Sequence, residues 1–217
     1  MTTVVIPLYD RFTALDVVGP YQMLAFTPGV RVLFAAEEPG LVTDDCGALS
    51  LPAIGLDEVD RADILVVPGG PGTLWVLDGA LPRWLARVHQ TTRWTTSVCS
   101  GSIILGAAGL LQGLKAATHY RHMDKLPFFG AEPTAERVVE EPEARIITAA
   151  GVSSGIDMAL RLVELIADRE IAEAVQLWTK YDPLPPFDSG SPQKATIAVQ
   201  DLAAAYEAAH VDAVPNR

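Results

Sequence analysis

The stretch WTTSVCSGSIILGAAGLL, residues 94–111, passes from strand chemistry to helix chemistry with no polar loop between the two. Residues 94–98 are β-branched or aromatic apart from one serine and suit a buried strand, whereas residues 102–111 are mostly small and aliphatic, like a packed helix. Cys99 sits at the join. Ser100, Gly101 and Ser102 follow at once, so small residues occupy the turn where a bulky side chain would clash, and hydroxyls stand where a helix needs caps. A turn of this kind is a nucleophile elbow, which lifts one reactive atom above the end of a sheet.

Other parts of the chain repeat the strand-then-helix rhythm. Residues 4–8 read as a strand, 16–25 as a helix and 30–36 as a second strand. Residues 41–52 carry Gly47 between short apolar pieces and read as a hairpin. Ile64, Leu65, Val66 and Val67 form a continuous aliphatic run, which suits a strand covered on both faces, and it stops abruptly at Pro68-Gly69-Gly70-Pro71-Gly72. A helix is expected over residues 82–90, strands over 115–118, 137–140 and 146–149, and helix over 153–181 with a break near Asp168. Residues 183–192 are proline-rich and precede an alanine-rich helix over 195–210. With no internal repeat or low-complexity linker, the economical reading is a single domain over residues 1–217, an α/β sandwich with a mostly parallel central sheet and a C-terminal helical tail.

Composition narrows the function classes. A formal net charge of −11 argues against nucleic acid or an anionic membrane surface as partner, and favours a small, neutral molecule. No run of about 18 apolar residues is present, and the N-terminus lacks the basic start and long apolar core of a secretion signal, so the expected location is the cytoplasm. Cys46 and Cys99 are the only cysteines, too few for a disulfide scaffold and without Cys/His spacing for zinc. His119 and His122 lack an evident third ligand. No metal and no cofactor are expected.

In open α/β sheets chemistry gathers beyond the carboxyl ends of the strands. Three such ends carry unusual residues: Asp16 in ALDVVGP, the glycines of VVPGGPG, and Cys99 in SVCSG. A helix N-terminus lowers the pKa of a thiol placed there, which is the effect expected on Cys99. Asp16 is suited to moving a proton to or from the sulfur, and the amides of Gly70 and Ser100 to binding developing negative charge. Plain structural readings stand beside these. A buried cysteine is commonly an inert small hydrophobe, Asp16 fits a helix cap or first-turn carboxylate, and PGGPG without a following GK[ST] is an ordinary turn.

VVPGGPG, TSVCSGSIILGAAGLLQGLKAATHY and AAGVSSGIDMAL, in this order and spacing, resemble the ThiJ/PfpI superfamily, related to class I glutamine amidotransferases. ALDVVGPYQML and YDPLPPFDSGSP resemble its isocyanide hydratase branch, so that the resemblance spans roughly residues 3–195. It implies a flavodoxin-like fold and a homodimer. It also implies that Cys99 attacks the terminal carbon of an organic isocyanide, that Asp16 handles protons, and that the product is an N-substituted formamide, which makes the chain a lyase. Ser100, where the branch often has threonine, is implied to hold Asp16, and the Val152 amide to orient the site. Val17, Val152 and Leu74 are expected to line a pocket for the substituent.

Peptidase-like members of the superfamily carry histidine directly after the elbow cysteine, and this chain has Ser100 there. Peptide hydrolysis is therefore not expected. A glyoxalase-like or redox-sensing enzyme is the nearest alternative, and a non-catalytic small-molecule sensor the alternative from another class. A further alternative is a regulator, since some regulators carry a domain of this kind fused to a helix-turn-helix DNA-binding segment of about one hundred residues.

Overall fold

The runs expected as strands at residues 30–36, 64–67, 94–98 and 146–149 become strands with those same bounds. The computed structural model describes residues 1–213, so residues 214–217 of the expected domain lie outside the described residues. In chain order the strands are β1 (Thr2–Leu8), β2 (Val30–Ala36), β3 (Gly40–Thr43), β4 (Ser50–Gly55), β5 (Ile64–Val67), β6 (Trp94–Val98), β7 (Lys115–Ala116), β8 (Glu132–Pro133), β9 (Val138–Glu141) and β10 (Ile146–Ala149). Eight of them form one sheet in the order β3-β4-β2-β1-β5-β6-β10-β9. The run from β4 to β10 is parallel throughout, and only the two edge strands, β3 and β9, are antiparallel to their neighbours. β7 and β8 pair separately.

The helices are α1 (Ala14–Ala25), α2 (Ala80–Val88), α3 (Gly101–Ala107), α4 (Ser154–Ile166), α5 (Arg169–Thr179) and α6 (Ile197–Ala213). α1 packs on α4 and α4 on α5, while α2 packs on α3. Every residue of β5 is buried, as a central parallel strand covered by helices on both faces requires. Strand order reverses at β1, with β2 on one side and β5 on the other. That reversal opens a crevice at the carboxyl ends of β1 and β5, where loops diverge to opposite faces.

Two expected elements are shorter than the sequence suggests. α3 stops at Ala107 rather than at residue 111, because Gly109 takes a left-handed conformation (φ 76°). The Gly109 N–H then donates to Gly106 C=O and the Leu110 N–H to Leu105 C=O, which closes the last turn. The expected strand over 115–118 pairs only at Lys115 and Ala116. The break near Asp168 is real: its side chain accepts from the Ile171 N–H and starts α5.

The C-terminal segment stands apart from this core. Residues 182–206 include no buried side chain, and Leu184 (87% exposed), Phe187 (78%) and Ile197 (78%) face outward. Among the described residues no helix is long and apolar enough to cross a membrane.

Candidate active site

Cys99 occupies the turn between β6 and α3 with φ 57°, a left-handed conformation that costs a non-glycine residue energy and is kept where the surroundings impose it. Three contacts do so. The Cys99 N–H donates to Ala149 C=O at 3.0 Å, at the end of neighbouring β10, and the Cys99 C=O accepts from Thr118 Oγ1 at 3.1 Å and Ser102 Oγ at 3.3 Å. Gly101 is required because a Cβ there would collide with the carbonyl oxygen of Val67 at the end of β5. The elbow thus packs α3 directly against the strand beside it.

Asp16 arrives from another element. It lies in the first turn of α1 and is completely buried, and Thr13, not Asp16, is the residue that precedes the helix. The Gly69 N–H donates to Asp16 Oδ2 at 2.8 Å, and the Gly69 C=O accepts from the Thr13 N–H at 2.8 Å, so one glycine clasps the start of α1 on both sides of its peptide. Only glycine fits: a Cβ on Gly69 would lie 2.5 Å from the Ser100 nitrogen and 3.0 Å from the Cys99 Cβ. The PGGPG stretch is therefore more than a turn, since it brings the β5 end between Asp16 and Cys99.

Four groups converge on the sulfur. The backbone N–H groups of Ser100 and Val152 and the Ser100 hydroxyl each favour the thiolate, and Asp16 faces it. Val152 precedes α4 with φ 29°, unusual for a β-branched residue, and its loop is pinned by Ser154 Oγ, which accepts from the Gly151 N–H and donates to the Gly151 C=O. Val98 and Gly155 meet behind it, where α4 crosses β6 without room for another side chain.

The charge balance corrects one expectation. The helix terminus does not make Cys99 an acidic thiol: burial and then the Asp16 charge push its pKa well above the usual thiol range, and the two amides and the Ser100 hydroxyl only partly oppose them. Asp16 itself is pushed up to about 7, first by burial and then by the Asp45 charge, against the Gly69 hydrogen bond and that of the Cys99 thiol. Its Oδ1 is buried with no hydrogen-bond donor of good geometry. A carboxyl that titrates near neutrality beside a thiol can exchange protons with it, and the pair titrates as a unit.

Ser100 corrects a second expectation. Its hydroxyl neither caps α3 nor holds Asp16, whose Oδ2 is held by the Gly69 N–H. Ser100 Oγ instead accepts from the Gly70 N–H at 3.0 Å and lies 2.8 Å from Thr73 Oγ1. Gly70 therefore meets Ser100, and its amide is already engaged. Of the expected pocket residues, Val17 is wholly buried in the core, Val152 is at the sulfur and Leu74 is 55% exposed. A cavity of about 530 Å³ lies at the ends of β1 and β2, lined by Tyr9, Glu37, Trp75 and Leu81 among others, and Cys99 is not in its wall.

Residue patterns did not single out Tyr9 or Thr73. Tyr9 Oη donates to Pro68 C=O at 2.9 Å and lies 3.0 Å from Thr73 Oγ1. Neither carries a local signal, because a tyrosine at the end of a strand and a threonine in a short turn are common surface chemistry. His119 and His122 stand with ring centroids 6.0 Å apart, and no group of three candidate metal ligands among the described residues includes them. Asp44, Asp45 and Cys46 do bring ligand atoms within 4.8 Å of one another, although Asp44 Oδ1 already accepts from Ala48 and Leu49 and Asp45 Oδ2 accepts from Thr13.

A parallel sheet with a strand-to-helix cysteine facing a buried carboxyl from the first helix defines a class of α/β proteins built around one thiol. Residues 2–165 match the DJ-1/PfpI family, and the chain belongs to it. It is 39% identical over 197 residues to the isonitrile hydratase of Pseudomonas putida, a match covering 90% of this chain and 86% of that protein. A solved ThiJ/PfpI family protein from Pseudomonas syringae superposes with TM-score 0.88 at 37% identity, over 98% of this chain and 89% of that one. Oxidized DJ-1 from Toxoplasma gondii superposes with TM-score 0.74 at 26% identity, over 84% of this chain and the whole of that one.

Proposed function

We propose that this chain is an isocyanide hydratase, converting an organic isocyanide and water into an N-substituted formamide. The observation that carries the reading is the convergence of two amides, the Ser100 hydroxyl and the Asp16 carboxyl on the Cys99 sulfur. The likeness to the Pseudomonas putida isonitrile hydratase supports the choice of reaction.

In this reading Cys99 gives its proton to Asp16 and attacks the terminal carbon of the isocyanide, forming the C–S bond. Asp16 returns the proton to that carbon, leaving a thioimidate. The net change is addition of S–H across the carbon. Water then adds to the thioimidate carbon, and breakage of the C–S bond with proton transfer to sulfur releases formamide and thiol. Ser100 and the amides of Ser100 and Val152 stabilise the thiolate as it forms and as it leaves. Gly70 contributes by holding the Ser100 hydroxyl. A carboxyl near neutrality serves both proton transfers, which a strongly acidic one would not. The reaction needs no oxidant and no metal.

The reading extends to a homodimer. Leu184, Phe187, Ile197, Val199, Leu202 and Tyr206 all lie exposed on the C-terminal segment. A second copy is the occupant this surface fits, because exchanging one segment each closes a two-fold pair and leaves neither segment uncovered.

The test is incubation with an aryl isocyanide and detection of the aryl formamide, before and after exhaustive chelation. Formamide is expected in both cases, at a normal rate from Cys46→Ala and at background from Cys99→Ala. Glyoxalase-like and sensor readings predict no formamide at all. Loss on chelation, restored by one divalent ion, would overturn the metal-free mechanism and direct attention to Asp44, Asp45 and Cys46.

A further inference from the structure

We propose that Thr73 and Tyr9 are positioning residues that decide whether Ser100 gives its hydroxyl hydrogen to Cys99. Three hydroxyls stand in line: Ser100 Oγ, Thr73 Oγ1 at 2.8 Å from it, and Tyr9 Oη at 3.0 Å from Thr73. All three residues are buried. Both ends of the line are set by the backbone. At one end the Gly70 N–H, which can only donate, points at Ser100 Oγ; at the other, Pro68 C=O, which can only accept, receives Tyr9 Oη.

Each hydroxyl has one hydrogen, so the line has two orderings. In the first, Ser100 donates to Thr73, Thr73 to Tyr9 and Tyr9 to Pro68, and Ser100 offers nothing to the sulfur. In the second, Thr73 donates to Ser100 while Tyr9 stays on Pro68. Both lone pairs of Ser100 Oγ are then filled, by Gly70 and Thr73, and its hydrogen has one remaining target, Cys99 Sγ. The first ordering suits the thiol and the second the thiolate. Passing between them rotates hydroxyls and moves no bond. Tyr9, by competing for the Thr73 hydrogen, holds the line in the thiol ordering until the sulfur ionises.

The inference takes Cys99 as the reactive group, as in the proposed function, but its test reads thiol reactivity and stands without any isocyanide. Alkylation by iodoacetamide is followed against pH in a Cys46→Ala background, so that Cys99 is the thiol observed. Tyr9→Phe removes the competing acceptor, and the pH midpoint is expected to fall by about half a unit or more, the worth of one hydrogen bond. Thr73→Val, which leaves Ser100 no acceptor but the sulfur, is expected to move the midpoint the same way, and Thr73→Ser to keep it. In a Ser100→Ala background, Tyr9→Phe is expected to change nothing. Unchanged midpoints in both Tyr9→Phe and Thr73→Val would overturn the proposal, as would a shift that persists without the Ser100 hydroxyl. Melting temperatures taken alongside separate lost packing, which lowers stability without moving the midpoint.

Discussion

Asp16 and Cys99 act on each other's charge with opposite sign. The Asp16 charge opposes the Cys99 thiolate, whereas the Cys99 thiol, as a hydrogen-bond donor, steadies the Asp16 carboxylate. The stable arrangement between them is one negative charge at most, resting on the carboxyl. A thiol poised this way is unreactive until its proton moves.

That relationship separates proton transfer from thiol reactivity. Asp16→Asn removes the opposing charge, so Cys99 is expected to alkylate at lower pH than in the wild type. Formamide production by the same variant is expected to fall about 100-fold or more, the usual worth of a positioned acid and base. Asp16→Glu keeps the acid one methylene out of place and is expected to retain more turnover than Asn. Wild-type turnover by Asp16→Asn would reduce Asp16 to a packing residue. An unreactive Cys99 in that variant would mean that the carboxylate activates the thiol.

Stability should carry the same signature. The folded pKa of Asp16, about 7, lies above the ordinary carboxyl value of 3.8. The folded chain therefore holds this proton more tightly than the unfolded one. The resulting stabilisation is complete below about pH 4 and is lost as pH rises through 7, a difference on the order of 4 kcal/mol. Asp16→Asn has no proton to lose and can still accept from Gly69. Urea melts at pH 5 and pH 8 are expected to show the variant gaining on the wild type at pH 8. Parallel pH dependence in the two proteins would refute a buried, neutralised Asp16.

The exposed C-terminal segment gives a prediction of another kind. Phe187→Asp and Leu202→Asp place charges on its apolar surface, and sedimentation at micromolar concentration is expected to move from twice the chain mass toward the single chain. Because residues 182–206 include no buried side chain, the melting of each chain's core should change little by comparison. Sedimentation of both variants like the wild type, or a monomeric wild type, would exclude this segment as the interface.

Strands β2, β5, β6 and β10 were legible to the residue because short runs rich in β-branched, aromatic and aliphatic residues mark a strand locally, most clearly in the wholly buried aliphatic β5, and no distant contact has to be known. The elbow was legible for a similar reason. Small residues and hydroxyls at a strand-to-helix join mark the turn by themselves, although the clash that requires Gly101, with the Val67 carbonyl of β5, is set only when the strands pair. The early end of α3 was less so, since Gly109 serves equally as a helix residue or a left-handed cap until the carbonyls of Leu105 and Gly106 need partners. The short pairing of β7 depended on β8, whose position the intervening chain decides.

Residue order alone thus determined the α/β architecture and the positions of Cys99 and Asp16 beyond the carboxyl ends of β6 and β1, because both follow from local periodicity and from how parallel strands connect. The sign of the Cys99 shift was decided only in the tertiary structure. A helix N-terminus lowers a thiol's pKa in isolation, but burial under the packed sheet and a carboxylate from α1 outweigh a few amides, and neither has a local trace in SVCSG. The direction of the Ser100 hydroxyl was decided there too. Its partners, Gly70 and Thr73, come from the loop after β5, and they reach it because Gly69 has no side chain to hold α3 away.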